Sequence, residues 1–407
     1  MNVSIDNLRK HVDCLASPEL KGREFGSEEC KLAALYVKKH FEEYNIAPPD
    51  KYHDYLQTLP WGGQNVLGIL RGSDPELANE CVTLDAHQDH MGDGFLGASD
   101  NAAGVAILLE LARVFAESNE RTRRSILFAC FDGEEQVLNV DGKKQLMQGA
   151  TYYVKNPVFD LKKTCALLTL DTLGRNFLSN NLLFVLGLER SLFLQSVTRD
   201  CVTNSRKILF NTDLLTGVMG NYIPFVEKKI PSLFISNGTH QDYHGKGDTA
   251  EKISYDLLSD DSMFMIDLVS QIANAENKPD FCKNSVCPEG EAEDILYLMT
   301  LLKDAVNQSK AGDASKFDFI IEKLRKSPSN KEMKQAVQIL LGFATPNFAK
   351  LYVLLNEAQN AEKKKNRSEA LRYYNEILDL HNEYRVPYLW LQEIRDKVEH
   401  LGKKISG

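Results

Sequence analysis

The chain has 407 residues, of which 43% are hydrophobic and 26% are charged, and its formal net charge is -9. This composition is typical of a globular protein that folds in water, and the length allows two domains. Because the sequence contains no basic patch, nucleic acid is not an expected partner. No apolar run is long enough to predict a membrane span.

The N-terminus and the cysteines both give information about the cellular compartment of the protein. No apolar signal-peptide core follows Met1, which predicts a cytoplasmic protein, or an exported one if a signal peptide has been removed. The cysteines are scattered, and several lie in apolar segments, where a free thiol packs as a small hydrophobic group. This distribution favours a reducing compartment.

The first part of the chain predicts one helix and a pair of short strands. Apolar residues recur at helical spacing over residues 26–44. Residues 54–59 and 65–70 read as strands, and the turn residues between them predict a hairpin at a sheet edge. The segment between this hairpin and the next strand is too short for an inserted domain.

Two apolar strands then end in residues that can bind metals. The strand that begins near residue 82 leads to His87 and Asp89, and the strand over residues 125–131 leads to Glu134 and Glu135. Sites form at such strand ends in α/β sheets. Because two adjacent carboxylates repel one another unless a cation lies beside them, the glutamate pair predicts a metal.

Asp100 stands where a helix should begin, since apolar residues follow it at helical spacing. An aspartate in this place has an ordinary explanation as an N-cap, which accepts backbone N–H groups of the first turn. Its occurrence between His87 and the glutamate pair favours a metal ligand instead.

Two further strands end in the same manner. Residues 165–170 precede Asp171, and residues 230–235 precede a loop that contains His244. The predicted ligands are therefore two imidazoles and three carboxylates: His87, Asp100, Glu135, Asp171 and His244. Such a set suits zinc, and its excess of carboxylates suits two Zn²⁺ ions that share one bridging aspartate. We predict Glu134 as the general base, which takes a proton from the attacking water and passes it to the leaving group.

The rest of the chain predicts a rim and a separate helical part. Residues 136–149 and 178–225 mix short apolar runs with polar turns and are expected at the rim of the site. Residues 277–290 read as a linker between a catalytic domain (1–276) and a helical domain (291–407) with one hairpin similar to a tetratricopeptide repeat. These helices are candidates for self-association or for binding a protein partner.

Five short motifs occur in order within this catalytic part. They are His87-Gln88-Asp89, Gly97-Ala98-Ser99-Asp100-Asn101, Glu134-Glu135, Leu170-Asp171-Thr172-Leu173-Gly174, and Tyr243-His244 with Asp248-Thr249 shortly after. Together they resemble the di-zinc aminopeptidase family of aminopeptidase S and aminopeptidase Y, over residues 5–275. One segment departs from the family pattern, since many members carry Ser-Asp-His where this chain has Gly220-Asn221-Tyr222.

The resemblance implies an α/β fold with a mixed, mostly parallel sheet between helices, followed here by an all-α domain. It implies that His87 and Asp171 bind one zinc ion, that Glu135 and His244 bind the other, and that Asp100 bridges the two. It also implies that Asp89 orients the His87 imidazole and that Asp248 does the same for His244. The implied activity is zinc-dependent removal of N-terminal residues from a peptide substrate.

Two other functions are compatible with the same fold. A glutaminyl cyclase is an acyltransferase that uses a single zinc, and the presence of His87, the Asp100-Asn101 pair and Asp171 argues against it. A non-catalytic scaffold usually loses ligands, and none of the five predicted ligands is missing here.

Overall fold

The structure is a computed structural model that describes residues 2–140, 143–145, 147–212, 220–309, 315–326, 331–336, 346–381 and 388–405. The helices are α1 (Ile5–Leu15), α2 (Glu28–Glu43), α3 (Ala103–Glu117), α4 (Gln148–Lys155), α5 (Leu192–Asp200), α6 (Ile223–Glu227), α7 (Tyr255–Asn274), α8 (Glu291–Ser309), α9 (Ser315–Lys326), α10 (Pro346–Lys363), α11 (Arg367–Leu380) and α12 (Tyr388–Ile405). The strands are β1 (Leu56–Thr58), β2 (Gln64–Leu70), β3 (Cys81–His87), β4 (Ser125–Phe131), β5 (Leu138–Val140), β6 (Lys143–Gln145), β7 (Thr164–Leu170), β8 (Leu182–Leu186), β9 (Arg206–Phe210) and β10 (Ser232–Ser236).

One sheet of eight strands organises the molecule, in the order β1-β2-β4-β3-β7-β10-β8-β9. Its four central strands β4, β3, β7 and β10 are parallel. At one edge, β2 is antiparallel to β4 and forms an antiparallel hairpin with β1, and near the other edge β8 is antiparallel to β10. The predicted fold class, a mixed and mostly parallel sheet with helices, is confirmed, as is the edge hairpin.

The central strands are buried on both faces, as parallel strands require. Every residue of β3, β4 and β7 is buried. Alternate side chains enter two different cores: Val82 packs with α1, α3 and α7 on one face, whereas Leu127 packs with α4, α6 and α8 on the other. Because both faces are covered, the site must lie at the ends of the strands.

The expectation that residues 178–225 form a rim was wrong for much of that segment. Strands β8 and β9 both come from it and complete the sheet beyond β10. Each is only five residues long, and apolar runs of this length are ambiguous by periodicity alone.

Helix α8 packs on the sheet beside β9. Its Asp294 carboxylate accepts the main-chain N–H of Leu209 at 2.9 Å, and its Glu291 carboxylate accepts that of Asn211 at 2.8 Å. These acceptors cover N–H groups along the edge strand β9, which would otherwise be open to pairing with another chain. The apolar side of α8 shares a core with β9.

Within the described ranges, the last three helices share a hydrophobic core of their own. Side chains from α10, α11 and α12 form it, among them Leu351, Tyr374 and Ile394. Helices α10 and α11 are antiparallel neighbours joined by a short turn, and the Asn366 side chain caps α11 by accepting the N–H of Glu369. In the described ranges these three helices thus share a core that is distinct from those on the two faces of the sheet, and the predicted domain boundary at residue 291 stays a prediction. None of the helices in the described ranges combines the length and apolar composition that crossing a bilayer requires.

The packing of α8 predicts different outcomes for two truncations. Removal of residues 288–407 should destabilise the sheet, because Ile295, Leu298, Met299 and Leu302 are each nearly fully buried and each such side chain contributes ~1.5–3 kcal/mol. Their sum is comparable with the ~5–15 kcal/mol that separates folded from unfolded domains. Removal of residues 346–407 should leave the sheet folded. Urea unfolding followed by circular dichroism measures both, and equal stability of the two truncated chains would contradict this account.

Candidate metal centre

The carboxyl ends of the central strands meet at one edge of the sheet and carry the predicted site residues. His87 is the last residue of β3, Glu134 and Glu135 follow β4, and Asp171 follows β7. Asp100 precedes α3, and the loop after β10 supplies His244, so side chains from distant parts of the chain come together here.

Asp100 lies between two imidazoles. Its Oδ1 is 3.1 Å from Nε2 of His87, and its Oδ2 is 3.2 Å from Nε2 of His244. An oxygen of Asp171 lies 3.7 Å from the same His87 nitrogen, and an oxygen of Glu135 lies 3.6 Å from the same His244 nitrogen. The five predicted ligands thus form two groups, each with one imidazole and one terminal carboxylate, that share Asp100.

This arrangement suits a metal ion. Within the described ranges, Oδ2 of Asp100 is buried and accepts no hydrogen bond, although an imidazole nitrogen lies close by. A buried polar atom without a partner is costly, and a metal ion would supply the partner. His87, Asp100 and Asp171 each direct one ligand atom to within 4.8 Å of the other two, and imidazole nitrogens with carboxylate oxygens are ordinary zinc ligands.

The loop before α3 explains why Asp100 is free to face the imidazoles. Residues 98–102 depart from helical geometry at Asp100 and Asn101, and the peptide bond between these two residues is cis. The side chain that caps the start of α3 is that of Asn101 and not that of Asp100, since Asn101 Oδ1 accepts the N–H of Gly104 at 3.2 Å. The alternative explanation of Asp100 as a simple N-cap is therefore excluded.

Burial and mutual repulsion make the centre strongly attractive to cations. Burial raises the pKa of Glu134 and that of Glu135 well above their usual range, and neighbouring carboxylates act in the same direction. Burial also raises the pKa of Asp100, but His244 and His87 outweigh it and hold that pKa well below its usual range. Concentrated carboxylates in a buried site favour a divalent ion.

The sequence profile of peptidase family M28 matches residues 65–269, about half of the chain. The chain belongs to peptidase family M28. The matched range runs from within β2 to within α7 and contains all five predicted ligands.

Curated relatives of this M28 chain match only parts of it. Aminopeptidase YwaD from Bacillus subtilis is 27% identical over 242 residues, which cover 57% of this chain and 49% of the relative. The vacuolar membrane protease of Pyrenophora tritici-repentis is 31% identical over 111 residues, which cover 25% of this chain and 11% of that protein. The matched part thus spans about a tenth of the vacuolar membrane protease and about half of YwaD.

Solved structures share the M28 chain's fold. The LapA aminopeptidase of Legionella pneumophila superposes with a TM-score of 0.55 at 16% identity, over 68% of this chain and 72% of LapA. BSAP, a zinc aminopeptidase from Bacillus subtilis, superposes with a TM-score of 0.54 at 15% identity, over 70% of this chain and 99% of BSAP. A glutaminyl cyclase from Bacteroides thetaiotaomicron superposes with a TM-score of 0.52 at 16% identity, over 66% of this chain and 98% of the cyclase. At these identities the likeness shows the fold alone.

Asp89 supports the M28 site through two different groups. Its main-chain oxygen, not its carboxylate, lies 3.1 Å from Nδ1 of His87, whereas the carboxylate is 3.8 Å from that nitrogen. The carboxylate instead accepts the main-chain N–H groups of Glu134 and Glu135, each at 3.1 Å. Asp89 therefore contacts the His87 imidazole through its main-chain carbonyl, and its side chain holds the glutamate loop.

The prediction that Asp248 orients His244 was wrong. The Asp248 carboxylate accepts the N–H and O–H of Ser99 and the N–H of Asp100. His240, which sequence reasoning missed, completes this network: its Nδ1 accepts the N–H of Asp242, so its Nε2–H donates to Ser99 Oγ at 2.6 Å. Burial lowers the pKa of His240 to about 3, which keeps the imidazole neutral. The network joins the loop of His244 to the loop of Asp100.

Two more residues of the site were missed. Arg23 is fully buried and donates to four main-chain oxygens, those of Leu15, Gln88, Leu96 and Gly97. It thereby ties the loop after β3 to the loop that carries Asp100. His90 is also buried, with Nδ1 3.0 Å from an oxygen of Glu135. Its position directly after the His87-Gln88-Asp89 motif is the feature of the sequence that could have indicated its presence in the site.

The segment that departs from the family pattern lies behind the predicted ligands. Asn221 donates to a carboxylate oxygen of Asp85 at 2.9 Å, and the Thr169 hydroxyl donates to the other oxygen at 2.6 Å. Burial raises the pKa of Asp85 to about 7. Asp85 and Thr169 precede His87 and Asp171 by two residues in adjacent strands, so these contacts brace the layer directly beneath the site.

Proposed function

We propose that the chain is a zinc-dependent aminopeptidase that releases N-terminal residues from peptides at a site for two Zn²⁺ ions. The placement of Asp100 carries this proposal, because its two oxygens face two different imidazoles. A carboxylate in that position can serve two ions at once. His87, Asp100 and Asp171 would hold one ion, and Asp100, Glu135 and His244 the other.

Zinc at these positions would supply Lewis-acid polarisation of the scissile carbonyl group and a lowered pKa for a water molecule. The protein's own contribution to proton transfer is Glu134. Its main chain is fixed by Asp89, and its carboxylate has an oxygen within 4.8 Å of ligand atoms of His87 and Glu135. We assign to Glu134 the removal of a proton from the attacking water and its return to the leaving amine.

The acidity of the site supports a substrate with a free N-terminus. Carboxylates of Asp100, Glu134, Glu135 and Asp171 gather at the same strand ends, and such a concentration attracts a cationic ammonium group. The names of YwaD, LapA and BSAP describe aminopeptidases, which agrees with this proposal.

Matched peptides test the reaction. The purified chain, supplied with zinc, should hydrolyse a short peptide with a free N-terminus and leave its N-acetylated form intact, and a chelator should abolish the activity. A glutaminyl peptide in the same assay distinguishes the runner-up, since a cyclase releases ammonia whereas an aminopeptidase releases glutamine. Two zinc ions per chain are expected. If the chain bound one zinc ion and cyclised the glutaminyl peptide, a glutaminyl cyclase would replace the proposed aminopeptidase. Hydrolysis of the N-acetylated peptide alone would refute the specificity for a free N-terminus.

A further inference from the structure

His90 lies beside Glu135 in the site and is not one of the five proposed ligands. Its side chain is fully buried, and its Nδ1 lies 3.0 Å from Oε1 of Glu135. The opposite oxygen of that carboxylate, Oε2, is the one that faces Nε2 of His244. The two histidines therefore approach the two oxygens of one glutamate.

The contact defines the tautomer of His90. As a zinc ligand Glu135 is ionised, and a carboxylate oxygen can only accept a hydrogen bond, so Nδ1 then carries the hydrogen and donates it. Within the part of the chain that the structure describes, Nε2 of this ring is buried without a hydrogen-bond partner. The Glu135 carboxylate is thus the polar contact that the structure assigns to the imidazole.

The surroundings leave the ring little freedom. The His90 main-chain N–H donates to the carbonyl of Arg23 at 3.1 Å. On one side the ring meets Gly97, where an added Cβ would approach the ring carbon Cγ to 2.5 Å. On another side it meets the His244 ring, edge to face, with 6.1 Å between centroids. A ring held in this way can fix the orientation of the carboxylate that it contacts.

We propose that His90 is a positioning residue of the second zinc site: its Nδ1–H holds Oε1 of Glu135 and so directs Oε2 toward His244 and Asp100. This inference rests on the proposed function, which assigns Glu135 as a zinc ligand. Hydrogen-bond partners of ligating carboxylates tune metal affinity, and their removal typically costs 10–100-fold in that affinity.

Direct ligation is the alternative role. His90, Asp100 and Glu135 can each place one ligand atom within 4.8 Å of the other two. A positioning role and a ligand role differ in which side chain can substitute for the His90 imidazole. The Nδ2 of an asparagine lies near the position of a histidine Nδ1 and can donate the same hydrogen bond, but an amide nitrogen does not ligate zinc.

Zinc affinity of full-length His90→Asn and His90→Leu separates these roles. Competition with a zinc-binding fluorescent chelator gives the affinity of each of the two sites. We expect His90→Leu to weaken one site by about 10–100-fold and to spare the other, since only one ion contacts Glu135. His90→Asn should stay within a few-fold of the wild type. If the leucine variant does not fold, His90→Gln takes its place, because its longer side chain moves the donor away from Oε1.

Several results would overturn the positioning role. Equal weakening in the asparagine and leucine variants would indicate a ligand or a packing role, and unchanged affinity in both would remove His90 from the site. His53, which is exposed, provides the matched control, and His53→Leu and His53→Asn should bind zinc as the wild type does. A wild-type chain that binds fewer than two zinc ions would refute the proposed function itself. Two ions with an unaffected His90→Leu variant would refute only the role of His90.

Discussion

Glu134→Gln is expected to abolish turnover while both zinc ions remain bound. The substitution keeps the size of the side chain but removes the group that accepts a proton from the attacking water. Since a general acid–base residue contributes about 10²–10⁴-fold to rate, kcat should fall by at least that range with little change in KM. Steady-state kinetics on an unblocked peptide and zinc content after dialysis measure the two effects separately.

Glu135→Gln is the matched control for this experiment, because the two glutamates are adjacent and are held by the same Asp89 carboxylate. It should lose zinc from the side of the site that contains His244. Loss of zinc from the Glu134 variant, with zinc retained in the Glu135 variant, would show that the two roles are reversed.

Asp100→Ala is expected to reduce the affinity of both ions. The Asp100 carboxylate faces His87 with one oxygen and His244 with the other, so its removal takes a ligand from each group and leaves the remaining carboxylates to repel one another. Each dissociation constant should rise by more than about 100-fold, the upper range for loss of an outer hydrogen-bond partner. Zinc titration with a competing chelator measures both constants.

Asp171→Asn provides the comparison for the bridge. Of the two imidazoles that face Asp100, His87 is the one whose ring nitrogen the Asp171 carboxylate approaches, at 3.7 Å. This variant should therefore weaken one ion and leave the other near its wild-type affinity. If Asp100→Ala also left one ion at full affinity, Asp100 would be a terminal ligand and the site would not be bridged.

Much of the eight-stranded sheet was predictable because its signals are local. Strands β3, β4 and β7 are uninterrupted apolar runs that are buried along their whole length. Strands β8 and β9 were missed because five-residue runs between polar turns do not distinguish a strand from a rim. The packing of α8 was missed for another reason: Asp294 reads as a surface residue until β9 presents the N–H group that it accepts.

The supporting residues of the site were less accessible to sequence reasoning than the proposed ligands. His240 acts through Ser99, which is 141 positions away, and Arg23 acts through the main chain of Gln88 and Gly97. No spacing rule connects such residues, because the contacts exist only after the strands have assembled. Asp248 illustrates the limit, since its nearness to His244 in sequence suggested the wrong partner.

The sequence alone determined which side chains stand at the strand ends, and the parallel sheet places them together, because carboxyl ends of neighbouring parallel strands share one edge. Only the tertiary structure decided which atoms face one another. Asn101 caps α3 and leaves Asp100 free, and Asp89 reaches His87 by its carbonyl rather than its carboxylate. These outcomes depend on backbone geometry and on loops from separate strands, where differences of less than an ångström select the hydrogen-bond partner.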